Sequence, residues 1–264
     1  MLTKGDLLLL GKYLIANQIE EGPTRGFLRR YRSTFKKGGP YPEITGYAAS
    51  SFSKLYDIEK DEAYLICAVK AADALICFQK PNGSIPTVIA INGKFENIAH
   101  IFDLAIIARG ILDVYERVGG AIYLKSAKSI VEFIKKYYLE NNYPSVVNLG
   151  GEFRESEFPK FFWINTKIII PLYQMYQITG DKYLLECAEN IYTTLLGSFD
   201  PRGFFNSNTN PAYNRSHYQA YALYGITYLH RWTKDDKYID IVKKGVDFLR
   251  TLLSEEGGIY TDFS

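Results

Sequence analysis

The strongest constraint on this chain is a repeated turn. Four short polar segments share one pattern: "YDIEKDEAYL", "YERVGGAIYL", "YQITGDKYLL" and "HRWTKDDKYI". Each closes an apolar helix, turns within about four residues and opens a second helix on an aromatic-aliphatic pair. The anchor tyrosines, Tyr64, Tyr123, Tyr183 and Tyr238, follow one another at intervals of 55 to 60 residues. The units also end alike, on a glycine followed by apolar residues: "QKPNGSIP", "SFDPRGFF" and "SEEGGIYT". The segment "QIEEGPTRGFL" supplies one more such end after a single leading helix. Self-similarity at this spacing denotes helical hairpins with helices of about 15–20 residues. Tetratricopeptide and ankyrin units, at about 33–34 residues, are too short to fit.

The two helices of each hairpin differ in kind. The second is amphipathic, as in "DEAYLICAVKAADALICFQ"; the first is apolar nearly all round, as in "IFDLAIIARGILDVY", "TKIIIPLYQMYQ" and "HYQAYALYGITYL". A helix with no polar face needs enclosure on most sides. The expected fold is therefore all-α: an α/α toroid of about four hairpins plus a leading outer helix, with an inner and an outer ring, forming one domain over residues 1–264. Connectors from outer to inner helices are long, at roughly 21–42, 80–97, 140–160 and 198–212. Long connectors in compact domains usually carry function. They gather above the N-termini of the inner helices, whose free N–H groups and positive dipole ends suit anionic ligands.

The first turns of those helices hold the polar groups that the helices otherwise lack. They are Glu43, Thr45 and Tyr47; His100 and Asp103; Trp163 and Asn165; and Asn214, Arg215, His217 and Tyr218. Each has a plain structural reading, since a first-turn carboxylate offsets the helix dipole and a buried histidine or tryptophan is commonly packing. Their shared position argues for a small-molecule site. His230 lies at the short-turn end and is set aside as structural. Arg25, Arg29, Arg30, Arg32, Lys36 and Lys37 stand between Gly22 and Pro42 without an acid. They form either a solvated basic loop or a clamp for carboxylate or phosphate groups. The 22 tyrosines, among them Tyr31, Tyr41, Tyr143 and Tyr213 in the connectors, offer flat faces with a hydroxyl edge that suit sugar rings.

Other classes are disfavoured. The net charge is +2, so no global field points to nucleic acid or an acidic membrane. No stretch approaches about 18 uninterrupted apolar residues, and a soluble, cytoplasmic protein is expected. Cys67, Cys77 and Cys187 show neither disulfide nor zinc spacing and read as core thiols; no metal or cofactor is expected. Oligomerisation is left open.

The stretches "EITGY…SFSKLYDIEKDEAYLICAVKAADALICFQKPNGSIP", "INTKIIIPLYQMYQITGDKYL" and "RSHYQAYALYGITYL" resemble the repeats of six-hairpin glycosidase-like α/α-toroid proteins of polysaccharide metabolism. The likeness runs from about residue 10 to the end. Two enzyme groups share that architecture: the unsaturated glucuronyl and rhamnogalacturonyl hydrolases, and the helical domain of glucuronyl 5-epimerases. The first group has six hairpins, against about four and a half here, and an essential aspartate near the start of an inner helix. Asp103 matches it by position, with His100 as neighbour. The resemblance implies an anionic saccharide in the cleft and acid–base chemistry. Asp103 or Glu43 would be the proton donor or base, and His217 the second group. Arg29 or Arg30 would hold a uronate, and Tyr47, His100, Trp163, Asn165, Arg215 and Tyr218 would contact substrate. Hydrolase and epimerase or lyase versions both stay open. So does a non-catalytic toroid that binds glycan or protein in polysaccharide assembly.

Overall fold

The computed structural model describes residues 3–33, 36–140, 144–150, 152, 163–206 and 214–261, with the side chains of 30–38 outside the description. Tyr143 and Tyr213 fall outside it too. The chain divides into two compact units, Met1–Glu157 and Phe158–Ser264. The first holds α1 (Lys4–Ala16), a hairpin of β1 (Arg29–Ser33) and β2 (Lys36–Pro40), α2 (Pro42–Glu59), α3 (Glu62–Cys77), the short strand β3 (Ala99–His100), α4 (Ile101–Val118), α5 (Ala121–Ile134) and β4 (Val146–Val147). The second holds a 3-10 turn (Trp163–Ile168) that runs into α6 (Ile169–Thr179), then α7 (Tyr183–Leu196), α8 (Ser216–Thr233) and α9 (Asp236–Thr251). The basic segment read from sequence as a loop forms the antiparallel β1–β2 hairpin.

The four polar turns share one mechanism. The residue after each apolar helix donates its N–H to the carbonyl four residues back, at 2.8 Å in every case: Lys60 to Tyr56, Gly119 to Tyr115, Gly180 to Tyr176 and Lys234 to His230. Lys60, Gly180 and Lys234 adopt the left-handed conformation that ends a helix sharply. Asp61, Asp181 and Asp235 then accept an N–H from two residues on, opening the next helix.

In the first unit, α2 packs on α3 and α4 on α5, while α2 and α4 pack against each other. Every residue of α4 from Ile101 to Val114 is buried. That enclosure includes one group the sequence reading passed over as apolar: Arg109 and Asp113 form a buried ion pair at 3.8 Å. The backbones of α2 and α4 meet at Gly46 and Gly110. A Cβ on Gly110 would lie 2.4 Å from the Gly46 carbonyl oxygen, so only glycine fits there. In the second unit α8 packs on α9 and on the 3-10 turn, and α6 on α7. A similar crossing recurs, with Gly225 of α8 against the Thr166 carbonyl. Cys67 and Cys187 are buried, but Cys77, at the end of α3, is exposed and is not a core thiol. No helix among the described residues is long and apolar enough to cross a membrane.

The amphipathic helices are tied side by side through tyrosine–carboxylate bonds. Tyr123 of α5 donates to Asp73 of α3 at 2.9 Å, and Tyr238 of α9 donates to Glu189 of α7 at 3.0 Å. Burial, and then the neighbouring carboxylate, push each hydroxyl up to about 12. A group raised above its unfolded value contributes stability below that value and loses it as pH rises through the folded one. Stability should therefore fall between about pH 10 and 12. Thermal melts across that range should show a shallower fall for Tyr123→Phe than for the wild type; equal slopes would refute the assignment.

Candidate active site

In the first unit, four hydrogen-bonded ties assemble the start of α2. The Thr45 side chain accepts the Leu28 N–H at 3.0 Å and donates to the Tyr41 carbonyl at 2.7 Å. The Arg29 N–H reaches the Asn17 carbonyl at 3.3 Å, and the Tyr41 N–H reaches the Leu28 carbonyl at 3.1 Å. Thr45, fully buried, is thus a structural tie. The same ties bring Arg29 and Glu43, 14 positions apart in sequence, to one cavity of about 440 Å³. Tyr13, Asn17, Tyr41 and Ile44 also line it. Pro42 opens α2, and Glu43 lies in its first turn at the positive end of the dipole. Tyr47, half-buried, sits one turn further along. Arg30 belongs to β1, and its side chain lies outside the described residues.

The start of α4 is held in a similar way. The β3–β4 pair sets His100 opposite Val146, the His100 N–H donates to Thr87 Oγ1 at 2.8 Å, and the Ile101 N–H donates to the Ser145 carbonyl at 3.0 Å. His100 caps the helix, and Asp103 lies in its first turn. Their side chains approach to 3.9 Å between Nδ1 and Oδ2, with Asp103 buried and His100 partly exposed. The two sequence candidates therefore form a carboxylate–imidazole pair, a constellation suited to proton transfer.

In the second unit, Trp163 and Asn165 are 3% and 1% exposed and sit within the packed 3-10 turn. His217, Tyr218 and Arg215 come together at the start of α8. The His217 and Tyr218 rings are 4.0 Å apart, and the Arg215 guanidinium lies 5.8 Å from the Tyr218 ring centre. Sequence reasoning missed Lys167. It is 4% exposed, with Nζ 3.7 Å from the centre of the Tyr221 ring and 5.5 Å from that of Tyr224. The signal was a lone cation inside the apolar run "INTKIII". His217, Tyr221 and Tyr224 follow one another at helical spacing on the side of α8 that is not fully buried. Among the described residues, no cluster of three or more His, Cys, Asp or Glu side chains could hold a metal ion.

The sequence matches no family model and no curated protein. Solved structures do match. A sugar epimerase from a ruminal bacterium superposes with a TM-score of 0.79 at 14% identity, over 96% of this chain and 72% of that one. The chain has the α/α-toroid fold of six-hairpin glycosidase-like proteins. A D-mannose isomerase aligns at 0.70 and 13% identity, over 86% of this chain and 65% of its own length. The unsaturated glucuronyl hydrolase of Bacillus sp. GL1 aligns at 0.66 and 18%, over 81% of this chain and 63% of its own. The toroid described here thus spans just under two thirds of the length of the last two. Its hairpins are α2–α3, α4–α5, α6–α7 and α8–α9, with α1 the leading outer helix.

Proposed function

We propose that this toroid is a carbohydrate-active enzyme that binds an acidic saccharide at the first turns of the inner helices α2 and α4 of its first unit and acts on it by acid–base catalysis. The observation that carries the reading is the cavity in which Arg29 and Glu43 meet beside Tyr13 and Tyr41. A guanidinium holds a uronate carboxylate through two parallel hydrogen bonds, tyrosine faces stack on a pyranose ring, and a carboxylate accepts its hydroxyls. Three structural neighbours are a sugar epimerase, a mannose isomerase and a glucuronyl hydrolase, so a sugar substrate is common to these three and supports the reading. Asp103 and His100 supply the proton-transfer pair. Asp103 takes or gives the proton at the reacting carbon or bridging oxygen, and His100 passes it to solvent. Glu43 is the further acid–base group of this unit, and Tyr47 contacts the saccharide.

Two assays separate the versions. Incubation with unsaturated uronyl disaccharides, followed by loss of ultraviolet absorbance, detects hydrolysis. Incubation of uronates and neutral aldoses in deuterated water, followed by proton NMR, detects deuterium entering at the carbon beside a carboxylate or carbonyl, as epimerisation and isomerisation require. Turnover is expected for a uronate-containing substrate and should fall in Arg29→Ala. Saturable binding without turnover would leave a glycan-binding module, and neither binding nor turnover would end the carbohydrate reading.

A further inference from the structure

A second cavity of the first unit lies where the turn after α3 docks on α5. It measures about 450 Å³, and Lys80, Lys125, Ser126 and Ser129 line it together with Ile76 and Ile122. The joint that frames it is tight. A Cβ on Gly83 would lie 2.0 Å from the Ser129 carbonyl oxygen, so the turn rests directly on the α5 backbone. The Gln79 amide donates to the carbonyls of Gly83 and Ser126, at 3.3 and 3.0 Å. Asn82 Nδ2 and Ser84 Oγ both donate to the Leu149 carbonyl, at 2.6 and 2.8 Å. The walls are therefore held in place by backbone contact and amide bonds.

Two joints of the same kind show what this one lacks. The Gly26 turn docks on α3, with the Lys70 carbonyl oxygen 2.3 Å from a Cβ on Gly26, and there Glu20 pairs with Lys70 at 3.3 Å. The Gly203 turn docks on α9 in the second unit, and there Asp200 pairs with Arg202 at 3.0 Å. Each of those joints supplies a carboxylate to its own cation. Aligning Gln79 with Gln18 puts Pro81 at the position of Glu20. Lys80 takes the position of Asp200: each donates its N–H to the residue after the glycine and accepts the glycine N–H on its carbonyl. The joint on α5 thus has neither acid and gains a cation. Among the described residues neither Lys80 nor Lys125 pairs with a carboxylate, and the Lys80 ammonium rests over the Phe95 ring, 3.9 Å from its centre. Ser126 is 4% exposed, and its buried hydroxyl has no hydrogen-bond partner among the described residues.

We infer that this cavity binds a phosphate group, free or as an ester, between Lys80 and Lys125, with Ser126 and Ser129 as hydroxyl donors to its remaining oxygens. A lysine ammonium holds phosphate as a point charge, whereas a planar carboxylate is better met by the arginine fork. Ile76 and Ile122 supply an apolar wall, and the cavity has room, for the organic part of an ester. Other residues build this site than build the Arg29–Glu43 cavity, so it stands whether or not that cavity takes a saccharide.

Isothermal titration calorimetry with inorganic phosphate and with glucose 6-phosphate, at fixed ionic strength, tests this. Both should bind the wild type saturably. Tighter binding of glucose 6-phosphate identifies an ester as the occupant, and otherwise the occupant is free phosphate. Lys80→Ala, Lys125→Ala and Ser126→Ala should each weaken binding at least about tenfold. Lys54→Ala, at an exposed position of α2 outside the cavity, should leave it unchanged. Without phosphate, Ser126→Ala should melt at or above the wild-type temperature, because alanine removes an unpaired buried hydroxyl and favours the helix. That melt separates lost binding from lost fold. The inference is overturned by no saturable binding of either probe at millimolar concentration, by affinities unchanged in the Lys80 and Lys125 variants, or by an equal loss in Lys54→Ala.

Discussion

Gly110→Val should leave the first unit unable to fold cooperatively. At this crossing even a methyl group would sit 2.4 Å from the Gly46 carbonyl oxygen and 3.1 Å from its Cα. The obstacle is helix backbone on both sides, not the end of a flexible side chain, so the clash is relieved only by moving α2 away from α4. The separation would unpack the buried run Ile101–Val114. Overpacking usually costs about 1–3 kcal/mol where side chains can yield. Here the expected cost is about 3 kcal/mol or more, against a total stability of about 5–15 kcal/mol. Gly5→Ala is the comparison: an added Cβ there meets only Thr3 Oγ1, at 3.6 Å, and alanine gains about 0.5–1 kcal/mol of helix propensity. Thermal melts should show Gly5→Ala at or above the wild-type midpoint and Gly110→Val with no cooperative transition near it. A Gly110→Val midpoint within a few degrees of wild type would mean that the α2–α4 crossing is looser than described.

Asp103→Asn should abolish turnover while leaving the fold intact. The substitution keeps the shape of the side chain beside His100, so the start of α4, held by the Thr87 and Ser145 bonds, is undisturbed. It removes the carboxylate that exchanges the proton in the proposed mechanism. General acid–base groups contribute about 10²–10⁴-fold to rate, and a loss in that range is expected in kcat with little change in KM. His100→Gln should cost less, since the proposed mechanism asks it only to relay the proton. Equal kcat in Asp103→Asn and wild type would move the chemistry to Glu43.

The site shows how much the chain announces in advance. Glu43 and Asp103 lie in the first turns of α2 and α4, and His217 in that of α8, as their spacing from proline, histidine and the apolar runs implied. Arg29 was one of six cations in a stretch with no acid, and nothing local distinguished it from Arg25 or Arg32. It stands out because Thr45 ties residue 28 to α2, which places its neighbour at the cavity of Glu43. Trp163 and Asn165 carried the same sequence signal as His217, yet they are packed inside. Lys167 and the Arg109–Asp113 pair ran the other way, as charges hidden within stretches whose apolar neighbours masked them.

The chain by itself determined the two kinds of helix, the register of the repeat and the first helical turns in which polar groups stand. Those depend on periodicity, turn chemistry and anchor spacing, which operate over a few residues at a time. Tertiary structure alone decided which of those groups meet, which are sealed in packing, and where two glycines let helix backbones touch. Each of these depends on residues far apart in sequence arriving at one place, and the close packing of an interior leaves room there for only one arrangement.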